Sequence, residues 1–529
     1  MGIPSYFRKI IQRYPGILCQ RVSDCSLLCF DFNCLVYRCI RAPSMLALEV
    51  PEVGHGEAMD AWEAGLLREV CRTVKEVWAE AGRPRQVYIA VDGVVPMAKI
   101  RQQRVRRFKS AYLRRMGTNS ESSHRSWDTN SITPGTAFMD KLGRELHRLA
   151  KEQGRGWIVS ASDEPGEGEH KIMSRLRDNR ASGTICIYGL DADLILLSML
   201  TGEMISNENL WLLREKQEFG APVAPRPDEK QEYTFMNLEE FKLRVGVKGV
   251  NEVLNYVGLM SLMGNDFLPH SMTHKLNDDG HECVLSELRA MKGSGRWLVD
   301  AGGQLQTNVL LTICASWARE EEGRMMHMIR KKREQAGRGV GKGMDASEGL
   351  PLQWNVEKVM VEVGTSSNSE NFIQLKEGWR TEYWNWIHPF ADRVHLCSEY
   401  VYGLQWILDY YTGQAPINTS WMFPSWIPPL WSDLALFLKK AEGGNSGKEG
   451  VRGVGAVIQP AEQLAMVLPL ESWGLIRDKN LRRLPALAPQ MWPLNYSFFS
   501  AGRKWLWECE ARIPVLTAER AREILKGAE

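Results

Sequence analysis

Four times within its first 193 residues, this chain runs from an apolar stretch into acid. SLLCFDFN leads into Asp31, QVYIAVDG into Asp92, and CIYGLDAD into Asp191 and Asp193, while WIVSASDEPGEGEHK reaches Glu167 and Glu169 a few residues past its apolar run. LMGNDFLPH adds Asp266. The apolar runs are short and rich in Ile, Val, Leu, Cys and Tyr, which predicts strands over residues 26–31, 86–92, 157–161 and 185–189. Helical patterns are predicted between them, at about 60–81, 97–116, 136–153 and 169–180. Such alternation predicts an α/β domain with a mostly parallel central sheet flanked by helices. In these sheets ligands sit beyond the carboxyl ends of the strands, where this chain puts its acids.

At 529 residues the chain exceeds one small core. Three regions are expected: 1–332 as the α/β unit, 333–350 (REQAGRGVGKGMDASEGL) as a Gly-rich linker or insertion, and 351–529 as a second, mainly helical region packed against the first. APVAPRPDEK (221–230) reads as a loop, and 443–455 as a second glycine-rich element. A net charge of +2 gives no overall polyanion-binding character, so any such function rests on local charge. None of the 11 cysteines forms a CxxC pair, and free buried thiols are expected. No apolar run approaches 18 residues, and no signal peptide is visible. The expectation is an intracellular protein with no membrane partner, cytoplasmic rather than nuclear. RKKR (330–333) is too short to read as a nuclear signal.

Taken pair by pair, the acids have an ordinary explanation. Glu167 and Glu169 flank Gly168 at a predicted helix start, where the helix dipole favours negative charge. Asp191 and Asp193, if extended, point to one side of the chain. Burying all of them together is unfavourable unless a cation neutralises them. Oxygen ligands of this kind favour Mg²⁺ or Mn²⁺ over zinc, and a pair of such ions suits phosphoryl transfer. His170, next to Glu169, reads as a helix-surface or supporting residue rather than a ligand.

MAKIRQQRVRRFKSAYLRRM (97–116) carries eight basic residues from Lys99 to Arg115 and no acid. A solvated face is the ordinary reading of such a run. Lys99, Gln103, Arg106 and Arg107 share one helical face, however, and the run starts seven residues after Asp92. A cationic face directed at an acid-held metal suits a phosphate. Val105, Phe108 and Tyr112 form the predicted packing stripe.

In these motifs the chain resembles the Xrn-type 5′→3′ exoribonucleases. The resemblance rests on MGIPSYFRKI, DFNCLVY, DGVVPMAKIRQQRVRRF, ITPGTAFM, PGEGEHKIM, YGLDADLILL and GNDFLPH, and it continues through YVYGLQWILDYY, SWMFP, QPAEQLAMVLP and AGRKWLWE. It implies a 5′-nuclease (PIN-like) fold whose second region completes the active-site channel. Asp31, Asp92, Glu167, Glu169, Asp191, Asp193 and Asp266 would be the acids that hold two Mg²⁺. Lys99, Gln103, Arg106 and Arg107 would bind a 5′-monophosphate, and Tyr37 and Trp421 would stack on a base. The implied activity is stepwise degradation of 5′-monophosphorylated single-stranded RNA to nucleoside 5′-monophosphates, in RNA decay. Three departures stand out. Tyr37 occupies a position where many members have histidine, and Met97 one where arginine is common. SMTHKLNDDG replaces the usual continuation of GNDFLPH, so Asp278 and Asp279 read as loop residues. The resemblance covers a catalytic region alone, a minimal form of the family. Two other functions compete: a flap-type structure-specific DNA nuclease, and a catalytically inactive RNA-binding adaptor. The adaptor predicts loss of at least one of the seven acids, and all seven are present.

Overall fold

The computed structural model describes residues 6–52, 56–117, 127–216, 231–336, 354–365, 371–388, 391–443, 455 and 457–527. The 221–230 loop lies outside these, as do most of the 333–350 linker and most of 443–455. Residues 333–336, the expected start of the linker, still belong to the Thr307–Ala336 helix.

Seven strands form one sheet: β1 (Leu18–Cys19), β2 (Cys25–Asp31), β3 (Gln86–Ala90), β4 (Trp157–Ser160), β5 (Thr184–Tyr188), β6 (Leu210–Glu215) and β7 (Tyr233–Asn237), in the order β1-β7-β6-β5-β2-β3-β4. From β6 to β4 all neighbours are parallel; β7 and β1 add an antiparallel edge. The four expected strands are β2 to β5, and the α/β reading holds. β1, β6 and β7 were not foreseen.

The central strands are apolar on both faces because helices cover both. Alternate residues go opposite ways: Leu27, Cys29, Ile185 and Ile187 join one core, while Leu28, Phe30, Cys186 and Tyr188 join the other. The helices Gly249–Ser261, Thr307–Ala336, Arg393–Thr412 and Trp431–Gly443 extend the first core, burying Leu254, Leu310, Leu408 and Leu434. Much of the tryptophan-rich second half therefore packs on the sheet's own helices.

The Met97–Gly117 helix is not a charged surface helix. Val105 and Phe108 are buried in a third core with Leu464, Met466 and Trp492, and Tyr112 packs edge-on against Phe498, at 4.9 Å between ring centres. Half of its basic run is structural. Arg104 is 1% exposed and donates to the backbone carbonyls of Pro514, Met466 and Met491. Arg101 donates to the carbonyls of Phe423 and Ser425, Lys109 to those of Trp507 and Cys509, and Arg115 pairs with Glu471. These cations tie the helix to the chain's last hundred or so residues.

Candidate active site

Parallel register brings the acids to one edge. Asp31 ends β2 opposite Ala90 of β3, and Phe30 lies opposite Tyr188 of β5. Asp92, Asp191 and Asp193 follow within a few residues of the same edge. The loop after Asp92 and the PGEGE turn are bonded to each other: Gly93 N donates to Gly166 O (2.9 Å) and Gly166 N to Val94 O (2.7 Å). Gln463, from the second region, accepts from Val95 N at 2.9 Å, so that region helps to shape this loop.

Gly168 explains the spacing of the two glutamates. It opens the Gly168–Asp178 helix, and its N–H donates to Asp92 at 2.7 Å. A Cβ there would lie 2.7 Å from an Asp31 carboxylate oxygen and 2.8 Å from Ala90 O. Only glycine lets this helix start press between the ends of β2 and β3. Asn33 donates to the other Asp92 oxygen at 2.9 Å.

The extended reading of Asp191 and Asp193 needs correction. Ala192 between them is helical (φ −78, ψ −26), and Asp193 begins the Asp193–Met204 helix. They are brought together by a helix start rather than by a strand's alternation, and their charges still oppose one another.

Lys99 also has a place the sequence did not show. Its ammonium lies 2.5 Å from Glu167 and 2.8 Å from Asp266, inside the acid cluster. Gln102 donates to the other Asp266 oxygen at 3.3 Å. The rest of the expected phosphate face lies further along the helix. Gln103 is buried with its carbonyl oxygen unpartnered, and Arg107 is buried and donates to Thr133 at 2.5 Å. Arg106 is half-buried and, among the described residues, has no carboxylate partner.

Electrostatics link all seven acids. Burial, then the charges of Asp92, Asp191 and Asp193, push the Asp31 carboxyl well above its usual range. Burial and Asp193 do the same to Glu169. Asp193 is pushed up to about 7 by burial, Asp191 and Asp266. Burial raises Glu167 despite Lys99; at Asp266 the burial effect is outweighed by Lys99, which holds that carboxyl below its usual range. Among the described residues, one Glu169 oxygen and one Asp193 oxygen are buried without a hydrogen-bond partner. So much shared negative charge, with buried oxygens unpaired, fits a hard divalent cation.

Of its two expected places, His170 takes the supporting one beside the acids rather than the helix surface. Its ring stacks on Tyr410 at 3.7 Å, its Nε2 is buried and unpartnered, and burial with Lys99 and Arg177 holds its pKa down at about 3. With Glu167 and Glu169 it forms a group whose ligand atoms lie within 4.8 Å of one another. Two tyrosines were also missed, although they sit in the noted YVYGLQWILDYY segment. Tyr410 donates to Glu167 at 2.8 Å, and the Tyr411 hydroxyl is buried close enough to Asp193 and Glu169 to feel their charge. Only their folded position shows this: seen as helix residues, they read as core.

The stacking candidates divide. Tyr37 is half-buried on the Asn33–Ile40 helix, near enough to Arg107 to influence its charge. Trp421 is 4% exposed, bonds Glu399 through its indole N–H at 2.9 Å and packs on Trp406 at 5.1 Å. It is a packing residue in this structure, not an open stacking platform. Asp278 and Asp279 lie in a turn, as expected, and Asp279 pairs with Arg324.

A mostly parallel sheet, covered on both faces and carrying clustered acids at its carboxyl edge, defines the PIN-like nuclease fold class. Comparison with known proteins narrows this. Residues 1–216 match the model of the XRN 5'-3' exonuclease N-terminus. The 5'-3' exoribonuclease 1 of Homo sapiens is 25% identical over 613 aligned positions, covering 99% of this chain and 34% of that protein. The 5'-3' exoribonuclease 2 of Debaryomyces hansenii is 28% identical, covering 63% of this chain and 39% of its own length. The 5'-3' exoribonuclease 1 of Saccharomyces cerevisiae is 29% identical, covering 55% and 20%. The chain is thus similar to the Xrn family, most clearly over residues 1–216, and it spans between 20% and 39% of the length of these three relatives. Among the described residues, no helix is long and apolar enough to cross a membrane.

Proposed function

We propose that this chain is a Mg²⁺-dependent 5′→3′ exoribonuclease that takes 5′-monophosphorylated single-stranded RNA and releases nucleoside 5′-monophosphates, in intracellular RNA decay. The observation that carries this reading is the position of Lys99. It pairs with Glu167 and Asp266 at the start of the helix that also carries Gln103, Arg106 and Arg107. Those groups lie roughly 6–12 Å further along the axis. One helix thus joins an acid centre to an anion-binding face, and a terminal phosphate held on that face leaves the next phosphodiester at the acids.

Asp31, Asp92, Glu167, Glu169, Asp191, Asp193 and Asp266 would hold the metal. When bound, two such ions supply an activated water and stabilise the leaving oxygen. The protein's own groups orient and limit the substrate. Arg106 and Arg107 grip the terminal phosphate, and Gln103 offers a neutral polar group beside them. Lys99 offsets part of the acid charge, and Tyr410 fixes Glu167 Oε1 by its hydrogen bond. Tyr37 lies at the end of this face, where a terminal base would stack.

The test follows products and metal dependence together. Labelled RNA and forked DNA are incubated with the full chain, with Mg²⁺ or with EDTA, and the products are resolved by length. The expected result is Mg²⁺-dependent release of single nucleoside 5′-monophosphates from RNA. Equal cleavage of forked DNA, or internal RNA cuts, would contradict the proposal.

A further inference from the structure

On the far side of Asp266 lies a cavity of about 360 Å³ that the proposed reaction does not use. Gln102 and Asp266 form the wall it shares with the acid centre. Arg503, from the AGRKWLWE segment, is the decisive residue. It is only 8% exposed and lines the cavity, yet among the described residues its guanidinium has neither an ion pair nor a hydrogen bond. A guanidinium this enclosed, with its donors left to the cavity, suits an anion that would accept from them. Lys275 also lines the cavity; burial and the charge of Arg503 press its pKa down to about 7, and its ammonium donates to Gly502 O. The Gln102 side-chain oxygen, buried on the shared wall, accepts no hydrogen bond among the described residues. Trp507 lines the same cavity and is 49% exposed, leaving an aromatic face open.

The groups offered to a ligand thus include a fixed cation, an acceptor oxygen and an open ring. Glu508 and Glu510 also line the cavity. One Glu508 oxygen accepts from the backbone N–H groups of Lys504 and Trp505, and the Glu510 charge acts on Arg101 and Lys109, which line the same cavity. We infer that this cavity binds a nucleoside monophosphate, with the phosphate on Arg503, the base against Trp507 and a donor of the nucleotide on Gln102. A volume of this order suits a ligand of that size. The anion site stands on Arg503 alone. Its occupant being the released nucleotide rests on the function proposed above.

Binding of AMP to the full chain in EDTA, followed by calorimetry and by tryptophan fluorescence, tests this directly. Wild type should bind AMP with one-to-one stoichiometry. Arg503→Met should weaken binding at least tenfold, and Trp507→Ala, at a half-exposed position that leaves the fold intact, should weaken it several-fold. Asp193→Asn, in the acid centre, should bind AMP as wild type does. Unchanged binding in both Arg503→Met and Trp507→Ala would overturn the site. Inorganic phosphate binding as tightly as AMP would overturn the nucleotide assignment. AMP binding that depends on Arg503, in a chain that releases no nucleotides from RNA, would uphold the site and sink the nuclease reading instead.

Discussion

In the absence of a divalent ion, replacing Asp193 by Asn should stabilise this protein. The Asp193 carboxyl is held at about 7 against an ordinary value of 3.8, by burial and by the charges of Asp191 and Asp266. The fold therefore favours the neutral acid. The associated stability is fully present below pH 3.8 and is lost as pH rises through 7. At pH 8 the ionised group costs about 4 kcal/mol, at 1.36 kcal/mol for each tenfold shift in protonation. The residue is 1% exposed, so solvent screening does not reduce this much. Asparagine keeps the shape, removes the charge and adds an amide donor for the unpaired oxygens nearby. In EDTA at pH 8, urea unfolding followed by tryptophan fluorescence should show the variant more stable by up to about 4 kcal/mol. The advantage should vanish by about pH 4 and shrink when saturating Mg²⁺ supplies the missing positive charge. A variant less stable than wild type in EDTA at pH 8, or an equal gap at pH 4 and pH 8, would show that the Asp193 charge does not burden the fold.

Tyr410→Phe removes the hydroxyl that donates to Glu167, a hydrogen bond to a charged group worth about 1.5–3 kcal/mol. RNA turnover at saturating substrate should fall roughly tenfold or more, with little change in melting temperature. Arg104→Met strands the carbonyls of Pro514, Met466 and Met491; it should cost about 2–5 kcal/mol in urea unfolding and leave preference between RNA 5′ ends unchanged. Gly168→Ala forces a methyl against Asp31 and Ala90 O; a strain of about 1–3 kcal/mol should leave a folded protein by circular dichroism with RNA turnover sharply reduced.

The acid edge was legible in the sequence because strands buried on both faces read as short apolar runs, and each such run led visibly into its carboxylates. β6 and β7 escaped notice: LWLLRE and YTFMN flank a proline-rich stretch, and the Glu215 that closes β6 follows Arg214 and bonds Arg38 and Tyr188 instead of joining the acid cluster. The basic run was legible as a helix but not in its division of labour. Arg104 and Arg106 look alike in sequence, and only tertiary contacts send one to backbone carbonyls and leave the other, among the described residues, without a carboxylate partner. Lys99 was expected on a phosphate face and lies among the acids, because the loop from Asp92 turns the helix start back over the sheet edge. Tyr410 and Trp421 show opposite errors of one kind. A helix tyrosine that reads as core reaches Glu167, and a tryptophan expected to meet a base is packed between Trp406 and Glu399.

One helix joins the acid centre to an anion face, and the 5′ end of RNA tests that union. Turnover of one RNA sequence carrying a 5′-monophosphate or a 5′-hydroxyl is measured with Mg²⁺, in wild type and in Arg106→Ala. Wild type should strongly prefer the monophosphate, and the variant should lose most of this preference while unfolding at the same urea concentration. Equal turnover of the two ends by wild type, or an undiminished preference in Arg106→Ala, would contradict that union.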